Sequence, residues 1–342
     1  MESLKNCFTN VLQTIIGLTN NSYLTFLKGA VEMVSDSSQE DNVLYEYNKN
    51  LLEIASENNF ALNADKTNEF AQLLGEAQFY LLCKNKGIIL NRIKAGTAKT
   101  PDFRFEAQDM CFEVKTLSVV SGSSGIKKSL EDSLEAQIDI EDELKKGKRI
   151  ATGISVVQPY GERPYKKGKG TITAIIETLI EKTCQNLKRD QFPNTSSFLV
   201  LNLSIIPPFR TDNYVLRPAY CDDYLFKKAV TGDLWMVAFG KSGMLIHGIP
   251  EFEGEAGIEG LLEKSGILSD PQYNYVTGIL LMIHPWHRPT EVWGLFDSQV
   301  HAQWNDSNPE IAKCLFILTG DNWNDDMDSN GWNLQGALQS NG

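Results

Sequence analysis

Apolar positions recur every three or four residues through the first quarter of the chain, and later gather into alternating or continuous runs. The first spacing turns one side of a helix toward a core, and the second does the same for a strand. Leu12, Ile15 and Ile16, then Leu44, Tyr47, Leu51 and Leu52, predict helices within residues 1–60, on either side of a loop "SDSSQEDN". A stronger helix is predicted from Asn68 to Lys84, with Phe70, Leu73, Leu74, Ala77 and Leu81 on one stripe and Gly87 as its stop. A charged helix from Ser129 to Lys146 and a long helix from Thr171 to Asp190 follow.

Strands are predicted at 102–105 and 110–115, and at "IATGISVV" (150–157), "SSFLVLNLSII" (196–206) and "DLWMVAFG" (233–240). Three more are predicted at "GMLIHG" (243–248), "VTGILLMI" (276–283) and "EVWGLF" (291–296). Alternating helices and strands with antiparallel pieces predict an α/β fold, with a mixed central β-sheet flanked by helices and an N-terminal helical extension. The boundaries expected are 1–60 for the helical region, 61–320 for the sheet domain and 321–342 for an acidic, glycine-rich flexible tail.

Composition narrows the function classes. With 42% apolar and 22% charged residues over 342 positions, the chain can bury a sizeable core. No apolar run is long enough for a membrane helix, and Glu2, Asn10 and Gln13 argue against a secretory signal. The six cysteines are far apart with no CxxC pair, which predicts reduced thiols in a cytoplasmic protein. A net charge of −12 argues against nucleic-acid binding over the general surface. One local patch differs: Lys145, Lys146, Lys148, Arg149, Arg163, Lys166, Lys167 and Lys169 stand against a single acid, Glu162. It predicts either a track for phosphates or merely solvated loops.

Chemistry concentrates at "TPDFRFEAQDMCFEVK", residues 100–115. If the two strands close around "EAQD", Phe105 faces Met110, Phe103 faces Phe112 and Asp102 faces Glu113. One side of the hairpin then carries Phe103, Phe105, Met110, Phe112 and Val114, while the other carries Asp102, Arg104, Cys111, Glu113 and Lys115. Opposed acids destabilise a sheet, and a divalent cation would offset their repulsion through the oxygen ligands it prefers. Lys115, on the same side, could then touch a phosphate oxygen or an attacking water, which suits phosphodiester hydrolysis. The plainer alternative is an amphipathic hairpin whose polar side meets solvent, with Arg104 and Lys115 balancing the acids.

Pro101-Asp102 followed by Glu113-Val114-Lys115 resembles the PD-(D/E)xK signature of the restriction-endonuclease-like nuclease superfamily. The resemblance covers roughly residues 70–205. It implies a metal-dependent endonuclease acting on DNA, with RNA not excluded, of the restriction or phage-defence kind, using Mg²⁺ or Mn²⁺ as its substitute. It implies metal ligation by Asp102, Glu113 and the Val114 carbonyl, and a catalytic role for Lys115. It also implies a further ligand or water-orienter at Glu76, whose plain reading is a glutamate at a helix margin. Lys182, Gln185 and Lys188 on the later helix could face phosphates or stand in solvent. Two-strand cutting would need two such sites, hence a homodimer. The alternative function is a catalytically silent member of the same fold that binds nucleic acid or a partner protein.

Other signals are discounted. "GKS" at Gly240–Ser242 lacks the glycine that a phosphate loop needs, and suits a hairpin turn. His284 and His287 flank a proline without a nearby cysteine, a poor zinc set. Trp286, Trp293 and Trp304 are expected in the core or an interface.

Overall fold

The computed structural model describes residues 3–14, 22–57, 60–93, 100–117, 123–155, 169–193, 196–204, 216, 219–222, 227–230, 232–248, 257–284 and 289–324. The chain is mixed α/β and divides into two compact units. One comprises residues 1–87, 115–161 and 202–207, and the other residues 88–114, 162–201 and 208–342.

The first unit is built on helices α1 (Leu4–Thr14), α2 (Ser22–Ser37), α3 (Asn42–Ala55), α4 (Ala64–Asn85) and α5 (Ser123–Lys145). Its centre is aromatic: Phe8, Phe60 and Phe70 are all about 1% exposed or less, and the Phe8 and Phe70 rings stack at 5.4 Å. Asp41 starts α3 by accepting the Val43 and Leu44 N–H groups, and its other oxygen takes Lys84 at 2.9 Å from α4. Gly87 adopts φ +78° just past α4, so the glycine expected to stop this helix does so by entering the left-handed region.

The second unit holds most of a six-stranded sheet in the order β1 (Asn91–Arg92), β2 (Phe103–Phe105), β3 (Met110–Thr116), β4 (Ser196–Asn202), β9 (Gly278–Ile283) and β10 (Glu291–Phe296). The predicted strands at 276–283 and 291–296 thus complete the same sheet as the hairpin. They pair antiparallel, with Trp293 opposite Leu281. Every residue of β9 is buried, as expected of a central strand. Phe198, Phe296 and Trp304 form the core of this unit, with Trp304 on α8 (Ser298–Ser307). Helix α9 (Pro309–Thr319) packs on β10.

A second, four-stranded sheet was not anticipated. It contains β5 (Ala219–Asp222), β6 (Lys227–Val230), β7 (Leu245–His247) and β8 (Ile258–Leu261). Helices α6 (Thr171–Asn186) and α7 (Asp233–Phe239) belong to this unit as well.

Three sequence expectations give way. "DLWMVAFG" is helix α7, not a strand; Leu234 to Ala238 are buried on every side, which erases the periodicity that separates the two. Residues 150–155 form no strand, and Ile150 and Ile154 are 81% and 85% exposed. Gly153 instead lies against the Ala136 carbonyl of α5, so this segment follows a helix rather than a sheet. The start of the expected flexible tail is ordered by hydrogen bonds: the Gly294 N–H donates to Asn322 O, and the Asn324 side chain bonds both the N–H and the carbonyl of Phe296. Residues 325–342 lie outside the described residues. Among the described residues, no helix is long and apolar enough to cross a membrane.

Candidate functional site

The hairpin at 102–116 has the register expected of it. Phe103 pairs with Phe112, Arg104 with Cys111 and Phe105 with Met110. Its turn is closed by Asp109 at φ +49°, and Arg104 reaches back to that carboxylate at 2.7 Å. Both side chains are exposed, so the pair contributes little to stability.

At the open end of the hairpin, Asp102 stands one residue beyond the Phe103–Phe112 pair, and Glu113 one residue beyond it on the other strand. The preceding Pro101 is buried and has a fixed φ. The Asp102 carbonyl accepts the Ile93 N–H at 2.9 Å, and its Oδ2 accepts the Val114 N–H at 2.7 Å. Main chain and side chain of Asp102 are therefore both tied down, and Asp102 and Val114 are brought together directly.

Glu113 is 2% exposed, and its Oε2 is closed off from solvent. The solvent-facing polar side proposed as the plain alternative does not hold at Cys111 and Glu113, which are both buried, while Arg104 of that side is exposed. A carboxylate in such a place is costly unless its charge is met by hydrogen bonds or a cation. Gln191 supplies one donor: its Nε2 bonds Glu113 Oε1. The same amide's Oε1 accepts the Lys188 N–H at 3.1 Å, which fixes which end of the amide faces the acid. Sequence reasoning missed Gln191, since an uncharged side chain 78 residues from its partner leaves no local signal. Lys115 follows on β3, half-buried, two residues past Glu113 and so on the same side of the strand.

Glu76 belongs to the helical unit. It is half-buried on α4, and Tyr47 Oη donates to its Oε2 at 2.8 Å. One turn earlier on α4, Gln72 brackets the Thr116 backbone: its Nε2 donates to the carbonyl at 2.5 Å, and its Oε1 accepts the N–H at 3.2 Å. Gly75 lets the helix come this close, since a Cβ there would lie 2.0 Å from Thr116 Oγ1 and 2.6 Å from Asn202 Nδ2.

The basic patch does not survive as a set of available cations. Lys145 pairs with Glu141 and Asp142, and Lys146 and Lys148 pair with Glu143, all acids of α5 lying just before the stretch that the sequence count covered. Lys169, with its side chain 13% exposed, pairs with Glu177 and with Glu263 at 3.0 Å. Arg149 is exposed, while Arg163, Lys166 and Lys167 lie outside the described residues. On α6, Lys182 is half-buried and Gln185 donates to Glu181 at 3.2 Å. His284 contacts Thr290 Oγ1 at 3.4 Å, and His287 lies outside the described residues.

Among the described residues, no group of three or more His, Cys, Asp or Glu side chains is gathered where it could hold a metal ion. What the hairpin offers is two carboxylates, Asp102 and Glu113, beside the main chain of Val114. These are hard oxygen donors without nitrogen or sulfur, a set suited to Mg²⁺ or Mn²⁺ and ill suited to zinc. No family model matches this chain, and neither a curated protein nor a solved structure matches it.

Proposed function

We propose that the protein is a divalent-cation-dependent phosphodiesterase acting on nucleic acid, with DNA the leading substrate, of the restriction-endonuclease-like kind. One observation carries this reading. Two acids separated by ten residues in sequence each stand one residue beyond the Phe103–Phe112 pair of one hairpin, Asp102 bonded to the Val114 N–H and Glu113 buried on Gln191.

Asp102, Glu113 and the Val114 carbonyl would hold the ion. When bound, a divalent cation supplies activation of water and neutralises charge developing at phosphorus. The remaining steps belong to the chain. Gln191 holds the Glu113 carboxylate in one orientation, and Asp102 is held by main-chain hydrogen bonds, so neither must reorganise when charge develops. Lys115 stands two residues along β3 from Glu113, and its ammonium would donate to a phosphate oxygen or orient a water. Glu76 is proposed from the sequence resemblance alone as a further orienter.

The test is incubation with plasmid, linear and single-stranded DNA, and with RNA, in Mg²⁺ or Mn²⁺. Wild-type protein should cut, and Asp102→Ala and Lys115→Ala should each lower the rate by a factor of 100 or more, the order expected for a lost transition-state contact (roughly 10²–10³). Equal cutting by wild type and both variants would remove the assignment. A second reading, the same architecture without catalysis, is favoured by the lack of a cluster of three or more metal-ligating side chains among the described residues. Mn²⁺ uptake separates the two, because only the first requires it.

A further inference from the structure

Four described lysines of the basic patch are matched with carboxylates, so a polyanion would need cations elsewhere. Lys188 and Arg189 are such cations: both are exposed, and neither side chain has an ion pair among the described residues. They open the short 3-10 turn Arg189–Gln191, the same turn whose Gln191 holds Glu113. The guanidinium of Arg189 sits 5.7 Å over the ring of Tyr275. That ring is fixed in turn by the buried Phe192 at 5.2 Å and by Tyr273 at 6.1 Å. Tyr273 also lines an open cleft of about 540 Å³ with Gln185, Gln272 and Lys264.

We propose that Lys188, Arg189 and Tyr275 form the surface that seats a nucleic-acid strand beside Glu113. The inference rests on the reading of Asp102 and Glu113 as a phosphodiesterase site, and it names how that site receives its substrate. An Arg resting over an aromatic ring has already given up part of its rotamer freedom, so binding a phosphate orders it at smaller cost. Its planar fork matches two phosphate oxygens, while the neighbouring Lys188 adds a point charge. The pairing of groups selects the occupant: a forked cation over an aromatic ring, beside a second exposed cation, suits a strand of phosphates and stacking bases, whereas an acidic protein offers carboxylates without the bases.

The test is fluorescence anisotropy with short labelled single-stranded and duplex DNA in EDTA, which reads binding apart from cutting. Arg189→Ala and the double change Lys188→Ala with Arg189→Ala should weaken binding by roughly tenfold and a hundredfold, and each lost contact should lower the salt slope by about 1. Arg189→Lys should fall between wild type and Arg189→Ala, and Lys145→Ala with Lys146→Ala should change little. Binding by wild type that is unchanged in the Arg189 variants overturns this surface while leaving the hydrolytic site standing. No binding by wild type overturns it as well, and the cleavage assay then decides the hydrolytic reading separately. Binding that depends on Arg189 without any cutting supports the surface and counts against hydrolysis.

Discussion

Gln72 on α4 holds the main chain of Thr116 with both ends of its amide, donating to the carbonyl at 2.5 Å and accepting the N–H at 3.2 Å. A single side chain thus does for Thr116 what a neighbouring strand would do, directly after Lys115. The predicted consequence is that Gln72→Ala costs about 1–3 kcal/mol, since two partly buried main-chain groups lose their partner. Gln72→Glu should cost at least as much, because a carboxylate can accept the N–H but repels the carbonyl. Urea denaturation of the three proteins measures both.

Gly75 is constrained by the same contact. Gly75→Ala should destabilise by about 1–3 kcal/mol, because the added methyl must displace Thr116 Oγ1 or Asn202. Removing that oxygen with Thr116→Ala should relieve part of the cost. A double-mutant cycle therefore should show favourable coupling, and simple additivity would count against the close approach.

Lys169 was expected from the sequence to track phosphates, yet Glu177 and Glu263 enclose it. Lys169→Met should lower stability by roughly 1–3 kcal/mol by leaving the largely covered Glu177 carboxylate without its cation. It should leave DNA affinity unchanged. Thermal melts together with anisotropy distinguish this outcome from that of a phosphate contact, for which affinity would fall and stability hold.

Asp41 gives the acid dependence. Burial pushes its carboxyl up, but the Lys84 ammonium, the Leu44 N–H and the Tyr80 hydroxyl outweigh that and bring it below the usual 3.8. The stability it contributes is therefore fully present above about pH 4 and is lost as pH falls through its lowered value. Asp41→Asn keeps a helix cap but loses the ion pair with Lys84, so it should be less stable than wild type at pH 7 by about 1 kcal/mol. Melting from pH 7 to pH 2 should show the gap closing at the acid end; a constant gap would exclude this role.

The hairpin was legible because its two signals agree. Alternating phenylalanines set the faces, and a four-residue loop set the register, so Phe103–Phe112 could be placed from the sequence alone. The burial of Glu113 was not legible, because the side chain that meets it, Gln191, comes from 78 residues further along the chain. Gln72 and Gln191 were silent for a similar reason: they act through amides on partners 44 and 78 residues away. The basic patch misled because charge was counted along a window, whereas Glu141, Asp142 and Glu143 precede that window and Glu263 comes from far beyond it. Seven consecutive helical residues at 233–239 fall short of two full turns, too few for a wholly buried helix to declare its period.

The central claim is that Asp102 and Glu113 share a divalent cation. Isothermal titration with Mn²⁺ tests it most directly, comparing wild type with Asp102→Asn and Glu113→Gln, each checked for folding by circular dichroism. One high-affinity site in wild type that is lost in both folded variants is the result predicted. No uptake by wild type, or uptake that survives both substitutions, would contradict it.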